Sequence, residues 1–311
     1  MFRTDRPWFI VSFDLHTSDR PEEIRSCLDW LANRGLSATF FIPTGMLEIP
    51  SLAEALSPLR LGAHELGSHS HRHDQTEVHA LRGEGGDLTF LAESRETFKT
   101  FFGVMFRLFR SPFWCGLGQA ARKELSKLGY RVDSSATPQR ASLLSNYPYE
   151  NPWLLSPRRP HLLKGTLPGA PILEVPTSTF LVPVGTAALG ILNERGFRYF
   201  LEPFLLEADL APRMGLVVQL HPGDLMASGA GPAPRRLRAR DLWPRRRGGL
   251  GLRHWLQANG PERKYKNTVA LIDAALDRGL APRSFGEIYE QERVAGRAPG
   301  PRFTQDTIGE P

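Results

Sequence analysis

Cysteine is almost missing from this chain: Cys27 and Cys115 are the only two in 311 residues. Two thiols make neither a disulfide framework nor, without other donors, a zinc site. Cys27 falls on the apolar stripe of an expected helix and reads as a buried thiol. No run of 18 apolar residues occurs, so no membrane-spanning helix is expected. Met1 to Pro7 is polar and lacks the apolar stretch of a secretory signal, which makes a cytoplasmic protein the expectation. No internal repeat is visible, which sets aside repeat architectures. A nucleic-acid-binding module is also absent, and no nucleic-acid partner is expected.

What is present is an ordinary globular composition, 41% apolar and 23% charged. The length suits one large α/β barrel with insertions or two smaller domains. A formal charge of +6 points to anionic partners such as sugar phosphates, lipid-linked pyrophosphates or an acidic membrane surface. Eight arginines from Arg235 to Arg253, with Trp243 among them and Trp255 just after, suggest where a membrane surface or a substrate phosphate would be met. A solvated basic loop is the plain alternative.

Short apolar runs alternate with helical patterns along the chain. Phe9 to Phe13, Leu36 to Ile42, Leu66 to Ser68, Met105 to Phe109, Tyr130 to Asp133, Ile172 to Pro176 and Leu216 to Leu220 read as strands. Pro21 to Asn33, Leu52 to Leu59, Leu88 to Phe102, Leu117 to Leu128, a stretch within Gly196 to Leu210, and Thr268 to Arg278 read as helices. Such alternation argues for parallel βα units in a barrel-like arrangement. The expected organisation is one domain over 1–292 with irregular insertions near 137–170 and 226–266. Residues 293–311 are Pro/Gly-rich and are expected to form a disordered tail.

Asp14, His69, Arg110, Asp133 and His221 all fall at or just after the C-terminal ends of these strands, the edge on which barrels and open sheets assemble their sites. A hydrolytic metal site needs two or three ligands and an open position for water. His69 and His73, four apart, can supply two if the segment turns. His16 shares a strand face with Asp14 and can supply a third. Asp14 suits a general base, His221 a general acid, Asp133 a carboxylate that orients an imidazole, and Arg110 a partner for a carboxylate.

These residues, in this order, resemble the polysaccharide deacetylases, the NodB-homology carbohydrate esterases. Ser12-Phe13-Asp14-Leu15-His16 stands where the family has T-F-D-D-G. His69-Ser70-His71-Arg72-His73 matches H-[ST]-x-x-H, and Arg110-Ser111-Pro112-Phe113 matches R-x-P-[YF]. Gly129 to Ser135 carries the Asp-Ser-Ser that follows Gly-Tyr, and Leu220-His221-Pro222 matches the last motif. The resemblance spans Ser12 to Pro222, about two thirds of the chain. It implies a deformed (β/α) barrel of about seven parallel strands that hydrolyses an N-acyl group, usually N-acetyl on an amino sugar. It further implies Asp14 as base, His221 as acid, Arg110 as partner of the base and Asp133 as the carboxylate that tunes the acid. His69 and His73 would be metal ligands, and the Phe113 N–H would stabilise the oxyanion with Trp114 beside it as a candidate sugar platform.

The chain departs from the family at Leu15, where a metal-binding carboxylate usually stands. A His16/His69/His73 site, suited to Zn2+, is therefore expected, with His71 left outside it. The expected substrate is a small or lipid-linked amino sugar met in biosynthesis, with the protein soluble or peripheral to a membrane. Release of formate, opening of a non-sugar cyclic amide, or a barrel that has lost its metal and only binds glycan are the rival readings.

Overall fold

The computed structural model describes residues 6–140, 154–211, 213–226, 238, 244–245, 249–250, 261–298, 300 and 302–303. Most of the arginine cluster, with Trp243 and Trp255, lies outside the described residues. No helix among the described residues is long and apolar enough to cross a membrane.

The strands are β1 (Trp8–Asp14), β2 (Thr39–Ile42), β3 (Glu65–Ser68), β4 (Leu108–Phe109), β5 (Val132–Asp133), β6 (His161–Leu162), β7 (Leu173–Glu174), β8 (Thr179–Phe180), β9 (Val182–Pro183), β10 (Leu216–Leu220), β11 (Pro244–Arg245), β12 (Gly249–Leu250) and β13 (Ala281–Pro282). The main sheet runs β10-β1-β2-β3-β4-β5-β7-β6, with β13 also on β1. Every pairing in it is parallel except β6 with β7. This is the expected α/β class, a curled, mostly parallel half-barrel.

All seven residues of β1 are buried, because both faces of the sheet are covered. Phe9, Val11 and Phe13 join the larger core, together with Ile24 and Leu31 of helix α1 (Pro21–Asn33) and Phe98 of the helix Thr89–Phe102. Trp8 and Ile10 face the other way, onto Phe285, Ile288 and Tyr289 of the final helix, Phe285–Val294. Glu65 receives the first N–H groups of that helix, from Phe285 (2.9 Å) and Gly286 (2.7 Å). Ser12 and Asp14 continue the inward parity of Trp8 and Ile10. Leu15 takes the outer side and is fully buried in the larger core.

The seven expected strands are all found, but three shrink to two residues, Leu36 to Ala38 and Met105 to Arg107 stay outside the ladder, and β6, β8, β9, β11, β12 and β13 were not expected, β6 lying within the stretch read as irregular. Helix Gln75–Arg82 was not foreseen: its start, Asp74-Gln75-Thr76-Glu77, is a capping pattern hidden behind the histidines. The helix Pro261–Asp277 begins seven residues before Thr268 and shortens the expected 226–266 insertion, Pro261 fitting its first turn. The expected disordered tail is corrected over its described part. The final helix continues to Val294, Ala298 is fully buried in the inner core, and Phe303 packs against it. Glu292 holds Arg297 by two bonds. Residues 304–311 lie outside the described set.

One crossing depends on glycine. The segment after β7 bonds to both sheet margins, Thr177 N–H to Ala136 and Ser178 N–H to Val217. It reaches Gly185, which bridges Gln219 with φ +150°, and a Cβ there would stand 1.6 Å from the Gln219 carbonyl oxygen. No side chain fits that approach.

Candidate active site

Asp14 and Arg110 form the centre. Arg110 follows β4 directly and is fully buried. Its Nη1 donates to Asp14 Oδ1 (2.6 Å) and Ser12 Oγ (2.9 Å), and its Nε and Nη2 donate to the carbonyl and hydroxyl of Ser134 (3.0 and 2.9 Å). The guanidinium carbon lies 3.9 Å from the Phe41 ring centre. Burial works to raise the Asp14 pKa, but the charge and hydrogen bond of Arg110, with His69 and His221 nearby, hold it below its ordinary value. Asp14 is therefore an ionised base.

The histidine run leaves β3 in a tight loop. The His69 ring Nδ1 donates to the Arg110 carbonyl (2.8 Å), which leaves Nε2 with its lone pair facing the site. Ser70 (φ +72°) and His73 (φ +58°) are left-handed, a costly state for such residues. Glu77 holds both. It accepts from the Ser70 hydroxyl, from Arg72 N–H (2.8 Å) and from His73 N–H (2.9 Å). His71 turns away to Thr44 Oγ1 (2.9 Å) and Glu48 (3.4 Å), as the sequence led us to expect.

The His16 ring centre lies 4.4 Å from that of His73, 4.7 Å from His221 and 6.0 Å from His69, and His69 lies 4.6 Å from His73. Burial is the main cause lowering the pKa of His16, His69 and His73, with the neighbouring rings adding to it; for His73 the value falls to about 3. The three imidazoles are thus neutral and able to donate lone pairs. The Asp19 carboxylate accepts the His16 backbone N–H (2.8 Å) and closes the turn that aims His16. Burial raises Asp19 to about 6 against the opposing charge of His221.

His221 sits across from these rings. Its Nδ1 bonds to the Asp14 carbonyl (2.7 Å), its Nε2 meets the Gln219 amide (3.3 Å), and its backbone N–H donates to Asp224 (2.9 Å). Among the described residues nothing joins Asp133 to His221, a correction to the role expected of Asp133. Asp133 bonds to Ser135 (2.6 Å) and faces Glu174 instead, because parallel pairing of β5 with β7 puts the two carboxyls side by side. The Phe113 ring lies 4.4 Å from that of His73, and both Phe113 and Trp114 are left-handed. The Trp114 ring carries the Arg140 guanidinium at 4.9 Å. Glu77, Asp19 and Glu174 were missed by sequence reasoning; only the Asp74–Glu77 capping pattern signalled one of them.

Among the described residues no three His, Cys, Asp or Glu side chains already close on a point as a finished metal cage. The donor set nevertheless fits one. Three imidazoles on a tetrahedral zinc, with Zn–N near 2.0–2.1 Å, place their ring centres about 5 Å apart. The observed separations bracket this value, and only the His16–His69 pair must close by about 1 Å.

Residues 3–132 match the family model described as polysaccharide deacetylase. A crystal structure assigned to a polysaccharide deacetylase from Mycobacterium smegmatis superposes with TM-score 0.57 at 14% identity, covering 98% of this chain and 96% of that one. The chitin deacetylase of the fungus Colletotrichum lindemuthianum gives 0.49 at 13% identity (92% and 88% covered). A polysaccharide deacetylase from Bacillus cereus gives 0.48 at 11% (90% and 93%). Of these, the first shares the fold. No curated protein matches the chain. The family model shows the resemblance to the polysaccharide deacetylases over residues 3–132, which implies a hydrolase of carbon–nitrogen bonds other than peptide bonds, and the superposition shows the fold.

Proposed function

We propose that the protein is a metal-dependent deacetylase that removes the N-acetyl group of an amino sugar, with His16, His69 and His73 holding the metal. The observation that carries this reading is the convergence of three neutral imidazoles with the Asp14–Arg110 pair and His221 at one edge of the sheet. The chemistry supplied by a bound divalent cation is Lewis acidity towards the acyl carbonyl and towards water.

Asp14, kept ionised by Arg110, takes a proton from the attacking water. The Phe113 N–H donates to the oxyanion that forms as the carbonyl becomes tetrahedral. His221 gives a proton to the departing nitrogen, and the C–N bond breaks to leave a free amine and acetate. His221 Nδ1–H donates to the Asp14 carbonyl, so the proton it gives away is a second one, carried on Nε2, and base and acid share one backbone unit. A biosynthetic amino sugar, free or lipid-linked, suits a basic protein; the arginine cluster would meet its phosphate or an anionic membrane.

The test is release of acetate and free amine, in equal amounts, from an N-acetylglucosamine oligomer by zinc-loaded protein. His221→Ala should abolish it. Formate from an N-formyl sugar without acetate from the oligomer would favour the deformylase alternative. Glycan binding without turnover and without bound metal would favour the degenerate barrel.

A further inference from the structure

Two carboxyl oxygens deep in the protein have no hydrogen-bond partner of the usual kinds: Asp133 Oδ2 and Glu174 Oε2. Both residues are fully buried, and they are direct neighbours on paired parallel strands. Two bare anions cannot share such a place, and buried polar atoms are rarely left unsatisfied. A single proton between the two oxygens resolves both problems.

The surrounding bonds say which residue carries it. Ser111 N–H donates to Ser135 Oγ (2.8 Å), so the Ser135 hydroxyl proton is free to go only to Asp133 Oδ1, 2.6 Å away. Asp133 is therefore the acceptor at that oxygen. Glu174 Oε1 accepts from Ala136 N–H (2.9 Å), so its proton sits on Oε2 and points at Asp133 Oδ2. The same bond favours the charged form of Asp133 and the neutral form of Glu174, with burial the largest influence on each.

The chain ends on the loop of the site. Ser111 closes that loop through its hydroxyl to the Cys115 carbonyl (2.8 Å) and its carbonyl to Trp114 N–H (3.2 Å). Within the loop stand the consecutive left-handed residues Phe113 and Trp114. Strain of that kind persists only where neighbours over-determine it.

We infer that Asp133 is a positioning residue for the Phe113 loop, acting through Ser135 and Ser111, and that Glu174 serves as a neutral acid that donates the hydrogen bond fixing Asp133. This rests on the proposed deacetylation for its effect on catalysis but not for the hydrogen-bond chain itself. The experiment therefore has two arms, both on the full zinc-loaded chain. In the first, deuterium uptake is followed by mass spectrometry in peptides covering Arg110 to Leu117. Ser135→Ala and Glu174→Leu should speed uptake there at least tenfold, and Glu174→Gln, whose amide donates as the acid does, should restore protection. In the second, kcat and KM are measured separately on the N-acetylglucosamine oligomer. Ser135→Ala and Asp133→Ala should each lower kcat about 10- to 100-fold with KM within threefold. Their combination should be no worse than either alone, because one chain is cut twice. Wild-type uptake in Ser135→Ala, or Glu174→Gln behaving like Glu174→Leu, overturns the inference. Additive losses in the double variant overturn it as well. Protection that follows these rules in a protein without turnover would leave the inference standing and count against the proposed function alone.

Discussion

Glu77 offers the sharpest mutational test of how the metal loop is held. In Glu77→Ala three donors lose their acceptor at once: the Ser70 hydroxyl, Arg72 N–H and His73 N–H. Ser70 is fully buried, so water replaces the carboxylate poorly. Hydrogen bonds to a charged group contribute about 1.5–3 kcal/mol each, less when several share one acceptor, and a net loss of about 3–5 kcal/mol is expected. The left-handed conformations of Ser70 and His73 cost about 1 kcal/mol or more apiece and would relax once released. Relaxation at His73 carries its ring away from His16 and His69. Loss of partners that orient ligands typically weakens metal binding about 10- to 100-fold. Zinc affinity measured by competition with a chromophoric chelator should fall by that factor. Urea unfolding of the zinc-free protein should show the stability loss. Glu77→Gln should fall between, since its amide keeps one acceptor but turns N–H2 towards a donor. A folded Glu77→Ala protein that binds zinc within threefold of wild type would refute the reasoning.

Three further outcomes follow from single positions. Leu15→Asp would put the family's usual carboxylate back but bury it among the apolar side chains of the outer core; melting temperature should drop with no gain in zinc affinity, and tighter zinc binding with unchanged stability would contradict this. Burial raises Asp133 from 3.8 to about 6. With Glu174 already holding the shared proton, Asp133 takes up one of its own only below about 6; the folded chain binds it more tightly than the unfolded one, so stability falls as pH rises from about 4 to about 6. Urea midpoints of Asp133→Asn across that window should lose this decline, whereas an unchanged slope would count against it. Gly185→Ala drives a Cβ onto the Gln219 carbonyl and should either prevent folding or displace Gln219 and the His221 it contacts; a variant with wild-type urea midpoint and His221 unmoved in a crystal structure would show the crossing to be looser than described.

The parts of this site that were legible in the sequence are those with local signatures. Asp14, His69, Arg110 and His221 each stand at or just after the end of a strand, and His73 follows four residues after His69 in the loop that leaves β3. Leu15 was legible as a departure, and strand parity then pointed to His16. What stayed hidden were carboxylates that work at a distance. Glu77 matters because two residues of a loop are left-handed, and no periodicity reveals a φ angle. Glu174 matters because β7 lies beside β5 in exact register, which two-residue strands cannot announce. Asp133 was assigned to His221 from the motif, but parallel pairing gave it a different neighbour. The tail misled through its proline and glycine content, although Ala298 and Phe303 supply the apolar surface that seals the inner core.

The central claim is that three imidazoles, one of them outside the histidine run, hold the metal. X-ray absorption at the zinc edge of protein loaded with one equivalent tests it directly. Three imidazole nitrogens at about 2.0–2.1 Å and one lighter oxygen donor are expected, with His16→Ala reducing the imidazole count to two. A spectrum unchanged by His16→Ala, or a protein that retains no stoichiometric zinc, would contradict it.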